Sequence, residues 1–212
     1  MPQHSQRLLE PRKSPVQARS AASVDAILAA TIQVLLKVGK ERLTTTKVAL
    51  RAGVSVGTLY QYFPNKSALL KAALKRHMDE VTDGIELVCY GQKGQSLEHM
   101  ATALMTTFLK AKMRDVPTSV ALYSVSSDID GSKIVKETGV RANTVIVEML
   151  KSAKEQLTTD PQIVAAVLQG VMSGVSRRLL ESAAPEKQFD TLLQELIVVA
   201  RSYLKACART SA

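Results

Sequence analysis

Between Thr44 and Lys66 stand side chains suited to reading hydrogen-bond patterns rather than to making or breaking covalent bonds. They are Thr58, Tyr60, Gln61, Tyr62 and Lys66, set beside Val56 and Gly57. A glutamine amide pairs bidentately with adenine in the major groove, which makes Gln61 the expected base reader. Tyrosine hydroxyls and a lysine ammonium suit phosphate oxygens, the expected targets of Tyr60, Tyr62 and Lys66. Chemistry of other kinds finds no foothold in the sequence. It shows no Ser/His/Asp set, no paired carboxylates with a cleft signature, no metal cluster and no phosphate-binding glycine loop. His4, His77 and His99 stand in unrelated contexts. An enzyme is not expected, nor a cofactor or a metal.

Two short helices must position these groups. Thr44 is an expected N-cap, and Val48, Ala49 and Ala52 then follow helical spacing. Gly53 ends that helix, since glycine takes the left-handed C′ conformation at little cost. Val54 is an apolar plug, Ser55 a second N-cap, and a helix over about Val56 to Phe63 stops before Pro64. Leu59 and Phe63 face inward with Val48, Ala49 and Val54, which leaves Val56, Gly57, Thr58, Tyr60, Gln61 and Tyr62 on or beside the outer face. Gly57 removes a side chain where such a helix must approach nucleic acid closely. Two short helices across a glycine turn make a helix-turn-helix.

The run Thr44-Thr45-Thr46, Val48-Ala49, Ala52-Gly53-Val54-Ser55-Val56-Gly57-Thr58-Leu59-Tyr60-Gln61-Tyr62-Phe63-Pro64-Asn65-Lys66 resembles the DNA-binding signature of tetracycline-repressor-like (TetR/AcrR) bacterial regulators. The resemblance extends from near Arg19 to near His77. It implies an operator of double-stranded DNA as partner, with Thr45 and Thr46 of the first reading helix contacting backbone or bases. Beyond this stretch the chain matches the family only in length and helical character.

Charge supports the same partner. The formal net charge is +9, and residues 1–80 carry 13 Lys/Arg against 5 Asp/Glu while residues 81–212 carry 15 against 14. The excess therefore lies with the helix-turn-helix, the footprint of a nucleic-acid reader. A non-specific architectural DNA-binding protein is the alternative, but it would spread its basicity over the whole chain. Cys89 and Cys207 lack cysteine or histidine neighbours at ligand spacing and are expected to be reduced, with a redox switch as the lesser reading. No apolar run reads as a membrane span and no signal-peptide core is seen, so a cytoplasmic protein without a membrane partner is expected.

The expected fold is all-α: an N-terminal three-helix helix-turn-helix domain and a C-terminal helical domain for ligand binding and dimerisation. Residues 1–20, polar and basic, read as a disordered arm with occasional phosphate contact; residues 21–66 as the DNA-binding domain; residues 67–212 as the effector-binding and dimerisation domain. Ser23 is expected to cap a helix to about Val38, ended by Gly39. A helix over Ser67 to about Val88 begins at the reading unit and runs onward, a candidate mechanical link. His77 on it reads as a polar boundary residue. Further helices are expected over Ser96 to Arg114, Gly131 to Leu157, Asp160 to Ser182 and Glu186 to Ala208, with a short segment over Pro117 to Val125.

The resemblance also implies a homodimer built on the last two helices. Val167, Gly170, Val171 and Gly174 would permit close helix approach, and Phe189, Leu193, Leu196, Ala200 and Tyr203 form an apolar stripe. It implies as well a pocket for a small hydrophobic or amphipathic effector. Met100, Leu104, Met105, Met113, Phe108, Tyr123, Met149 and Met172 are candidates for its wall, since methionine packs adaptably. Taken alone, these residues equally suit an ordinary core. Asn143, Glu148 and Arg177 are the candidate polar anchors. Repression and activation are not separated by the sequence.

Overall fold

The computed structural model describes residues 15–129 and 131–209, with side chains from Ser20 onward. The chain divides into two compact units, Met1–Leu69 and Leu70–Ala212. Among the described residues there is no strand, only an isolated bridge between Leu157 and Ala208. The all-α expectation is met.

The first unit holds α1 (Pro15–Arg42), α2 (Thr45–Ala52), α3 (Val56–Tyr62) and the first turn of α4 (Lys66–Gln92). Helix α1 begins eight residues before the expected cap at Ser23. Proline is tolerated at a first helical position because its missing N–H would be unbonded there anyway, and Ala18, Ala21 and Ala22 favour helix behind it. Residues 15–20, expected within a disordered arm, are therefore helical, and residues 1–14 lie outside the described residues. Gly39 interrupts the helix at φ 74°, ψ 168°, as expected. Ile27, Ala30, Thr31, Val34 and Leu35 bury one face of α1, and the buried Thr31 hydroxyl donates to the Ile27 carbonyl at 2.8 Å. Leu43, Val48, Ala49, Leu59, Phe63 and Leu69 complete this small core.

The second unit contains the rest of α4, then α5 (Leu97–Met113), α6 (Val116–Ser126), a 3-10 turn (Ser127–Ile129), α7 (Gly131–Lys151), α8 (Pro161–Leu180) and α9 (Pro185–Ala206). Side-chain caps fix several starts: Ser96 accepts from His99 N, Asp115 from Thr118 N and Asp160 from Gln162 N. Helix α5 lies at the centre and is buried at Met100, Ala101, Leu104, Met105, Phe108 and Leu109. It packs on α9, α8 and α7. Helix α7 ends at Lys151, short of the expected Leu157, because the loop after it is held elsewhere. Lys154 N donates to Gln95 O, Thr158 N to Cys207 O at 2.7 Å, and Arg209 N to Gln156 O at 3.0 Å. Arg141 on α7 meets Asp79, Asp83 and Glu86 on α4 at 2.9–3.2 Å, an exposed cluster of modest energetic weight.

Two helices do reach membrane-spanning length and apolarity, contrary to the sequence expectation: Ser20–Arg42 within α1 at mean hydropathy 1.6 and Pro161–Leu180 at 1.3. Each buries an apolar face in its unit's core, the ordinary reason for such a composition.

Candidate nucleic-acid interface

Local chemistry builds the reading unit turn by turn. Thr44 sits in extended backbone and its hydroxyl accepts from Lys47 N at 3.3 Å, opening α2. Gly53 closes α2 at φ 69°, ψ 28°, and Val54 N donates back to Ala49 O at 3.0 Å. Ser55 then caps α3, its Oγ accepting from Thr58 N at 2.9 Å. Phe63, extended before Pro64, ends α3. Asn65 Oδ1 accepts from Ala68 N at 2.9 Å and opens α4.

Helix α3 divides sharply between its faces. Leu59 is 0% exposed, whereas Val56, Gly57, Tyr60 and Gln61 are exposed and Thr58 and Tyr62 lie half-buried. A Cβ added at Gly57 would meet nothing closer than Ser55 Oγ at 3.7 Å, so no packing inside the unit demands glycine there. The Tyr60 hydroxyl and Thr45 Oγ1 are hydrogen-bonded at 3.0 Å, bringing two candidates from different helices together at the start of α2. Thr46 is exposed beside them. Lys66 is placed differently from the sequence picture. Its half-buried ammonium donates to the Lys40 carbonyl at 2.5 Å and so ties the start of α4 to the end of α1. Arg51 Nε donates to Gln33 Oε1 at 2.6 Å and Lys47 Nζ to Arg42 O at 2.8 Å, holding α2 against α1.

The second unit contains a cavity of about 750 Å³ among α4, α5, α6, α7 and α8. Of the expected pocket residues only Phe108 and Tyr123 line it. Met100, Leu104, Met105, Met149 and Met172 are at most 2% exposed and fill the core instead. Helical periodicity marked them as buried but carried no information about which buried groups border a void. Of the expected polar anchors, Arg177 lines the cavity, while Asn143 donates to Gln162 and Glu148 pairs with Lys93.

Sequence reasoning missed the polar wall. Serines 119, 126, 173 and 176 line it with His77, Lys112 and Lys136, and no acidic side chain does among the described residues. The run of serines in and after α6 was the available signal. Ser119 Oγ donates to the Lys112 carbonyl at 2.6 Å, which uses its single proton. The contact of 3.2 Å between Ser119 Oγ and His77 Nε2 is then donated by the ring, so a neutral His77 carries its proton on Nε2. Burial, first, and then the Lys112 and Arg114 cations against an opposing Asp115 push the His77 pKa down to about 4. Burial brings Lys112 down to about 8. Its ammonium donates to Met78 Sδ at 3.1 Å. Unfolded histidine takes up a proton near pH 6.5 and folded His77 only near 4, so stability falls as pH drops through that window and levels off below it. Urea unfolding at pH 7 and 4.5 should show wild type losing roughly 2 kcal/mol more than His77→Gln. Equal losses would place the titration elsewhere.

The two cysteines are buried and free, and burial and Glu86 push the Cys89 thiol up to about 12, against a reactive thiolate. On α8 the expected Val167, Gly170 and Gly174 face outward, whereas on α9 most of the expected stripe turns inward. Leu193, Leu196 and Ala200 are 6% exposed or less and belong to their own chain's core, with Phe189, Val171 and Tyr203 packed partly against it. The outward apolar groups are Ile163, Val167, Val198 and Val199, each 39–56% exposed, and Gly170 and Gly174 have open space about them. A register of three and four residues fits either face of so apolar a helix, so spacing alone did not separate the inward from the outward face of α9.

Comparison with known proteins agrees with this geometry. Residues 27–73 match the family described as bacterial regulatory proteins, tetR family, and residues 96–204 match the tetracyclin repressor-like C-terminal domain. The nucleoid occlusion factor SlmA of Enterobacter sp. (strain 638) is 24% identical over 161 residues, covering 72% of this chain and 81% of the relative. The HTH-type transcriptional repressor KstR of Mycolicibacterium smegmatis is 47% identical over 55 residues, 26% of this chain and 27% of its own. Among solved structures, a TetR-family regulator of Mesorhizobium loti superposes with a TM-score of 0.73 at 17% identity, covering 90% of this chain and 99% of that one. With a helix-turn-helix that presents α3 outward and a family match over more than half its length, this chain belongs to the TetR family of DNA-binding transcriptional regulators.

Proposed function

We propose that the protein is an effector-responsive homodimeric repressor that binds a palindromic operator in the cytoplasm, one α3 per half-site, with no membrane partner. The observation that carries the reading is the division of α3: an apolar anchor, Leu59, sealed inside, and a glycine, an amide and a phenol outside. Gln61 reads bases, Tyr60, Tyr62, Thr45 and Thr46 hold the sugar–phosphate backbone, and Thr58 borders the groove. Lys66 adds charge while its ammonium also fixes the start of α4. Repression is favoured because KstR, the relative matched over 55 residues, is by name a repressor.

Two-fold symmetry pairs two reading helices with two half-sites and requires a self-complementary face. Ile163, Val167, Val198 and Val199, with the open backbone at Gly170 and Gly174, support α8 and α9 as that face. The cavity supports an amphipathic effector, whose differential affinity for two states would shift DNA affinity through α4.

Footprinting on DNA flanking the protein's own gene, at moderate salt, tests the reading. A protected pseudo-palindrome is expected. Salt-sensitive binding without a preferred site would favour the architectural alternative, and no binding at any salt would overturn both. On the footprinted site, Gln61→Ala should relax sequence preference by about 1–3 kcal/mol at one base pair. Lys66→Ala should weaken all sequences alike, with a shallower salt slope and a lower Tm from the lost charged hydrogen bond. Equal relaxation by both variants would remove the division of roles.

A further inference from the structure

The cavity of the second unit is lined by both cationic and apolar side chains. Leu74, Phe108, Leu122, Val135 and Leu180 supply the apolar wall. Lys112, Lys136, Arg177 and several serines make up the polar part of the lining. Nearby acids are engaged outside that wall: Asp115 caps α6 through Thr118 N and Oγ1, and Glu181 accepts from Tyr123 Oη at 2.7 Å. No ion pair among the described residues includes Lys112, and its ammonium donates to the thioether sulfur of Met78. A thioether is a weak acceptor, and a half-buried ammonium without a counter-charge is a costly arrangement that an incoming anion relieves.

We infer that this cavity binds an amphiphilic carboxylate, its head on the Lys112 ammonium and its hydrocarbon against Leu74, Phe108, Leu122 and Leu180. The inference rests on reading the cavity as the effector site and adds the chemical class of the ligand. Size agrees, since 750 Å³ lies within the roughly 300–1,000 Å³ usual for small-molecule sites. Sign agrees as well: three cations and no acid line the void among the described residues, so a cationic amphiphile meets repulsion and a neutral one leaves the ammonium unsatisfied. The Ser173 hydroxyl offers a donor for the second carboxylate oxygen, whereas Ser126 and Ser176 spend their single protons on the Tyr123 and Ser173 carbonyls.

Calorimetric titration of the full chain with dodecanoate, dodecanol and dodecyltrimethylammonium, each below its micellar concentration, tests the inference. Dodecanoate should bind about 10- to 100-fold more tightly than dodecanol, and the cation not measurably. Lys112→Met, similar in length but uncharged, should abolish the preference for the acid while keeping or raising dodecanol affinity, and Lys112→Arg should retain the preference. If Lys112→Met does not fold, the Lys112→Arg result and the wild-type ranking carry the test alone. Dodecanol or the cation binding as tightly as dodecanoate overturns the inference, as does binding of none of the three. DNA release is read separately on the footprinted site. Dodecanoate that binds by this ranking without releasing DNA confirms the ligand class and counts against the effector role.

Discussion

Gly57→Val should leave the protein folded and cost about 100-fold in affinity for its operator. A Cβ added there meets no neighbour in the first unit closer than Ser55 Oγ at 3.7 Å, the position is exposed, and valine is a slightly better helix residue than glycine. Thermal stability should therefore equal or exceed that of the wild type. With α3 in the groove as proposed, the side chain would occupy the space between the α3 backbone and the groove floor. Lifting the helix weakens several contacts together, and a single bidentate base contact carries about 1–3 kcal/mol. Band-shift titration beside a melting curve separates the two effects. Unchanged operator affinity would mean that this face of α3 does not enter the groove.

The second large effect is expected at Gly131, the buried first residue of α7. A Cβ there would lie 2.7 Å from the Ser126 carbonyl oxygen and 2.9 Å from Leu74 Cδ2, distances that real Cβ atoms essentially never show. Leu74 can rotate, but the carbonyl belongs to backbone and cannot yield without moving the end of α6. Gly131→Ala should destabilise by about 1–3 kcal/mol, the usual cost of overpacking. Gly131 and Ser126 also line the cavity, so ligand affinity should fall with stability. Gly139→Ala, in open space on the same helix, is the control and should be neutral or stabilising. Equal unfolding midpoints in urea for Gly131→Ala and wild type would show that the α6–α7 corner is softer than its packing implies.

How far each feature could be read from residues alone follows from the range of its causes. The reading helices were legible because their determinants are local. Thr44, Gly53, Ser55 and Pro64 each act within one turn of themselves, and the observed caps fall on those residues. The start of α1 was misjudged because alanines around position 20 carry helix propensity without a cap or an apolar period to announce it. In the larger unit, periodicity told that Met100 and Met105 are buried, yet burial against a neighbour and burial against a void look identical in a sequence. The cavity arises where α6 meets α7 and α8, and its cations come from residues 112, 136 and 177, far apart along the chain. The placement of Lys66 on a carbonyl of α1 likewise depends on a contact across 26 positions.

The brevity of α2 and α3 has a further consequence. Helices of eight and seven residues do not persist alone in water, since nucleation costs more than so few backbone bonds return. They exist only while Leu59, Val48 and Ile27 are packed together. Recognition is thus a collective property of the first unit: its amides are shielded from exchange only as long as that small core holds, and any local opening of the core erases the reading surface at once. Sequence changes at Ile27 or Leu35, both buried in that core, are consequently expected to change how long the protein stays on DNA.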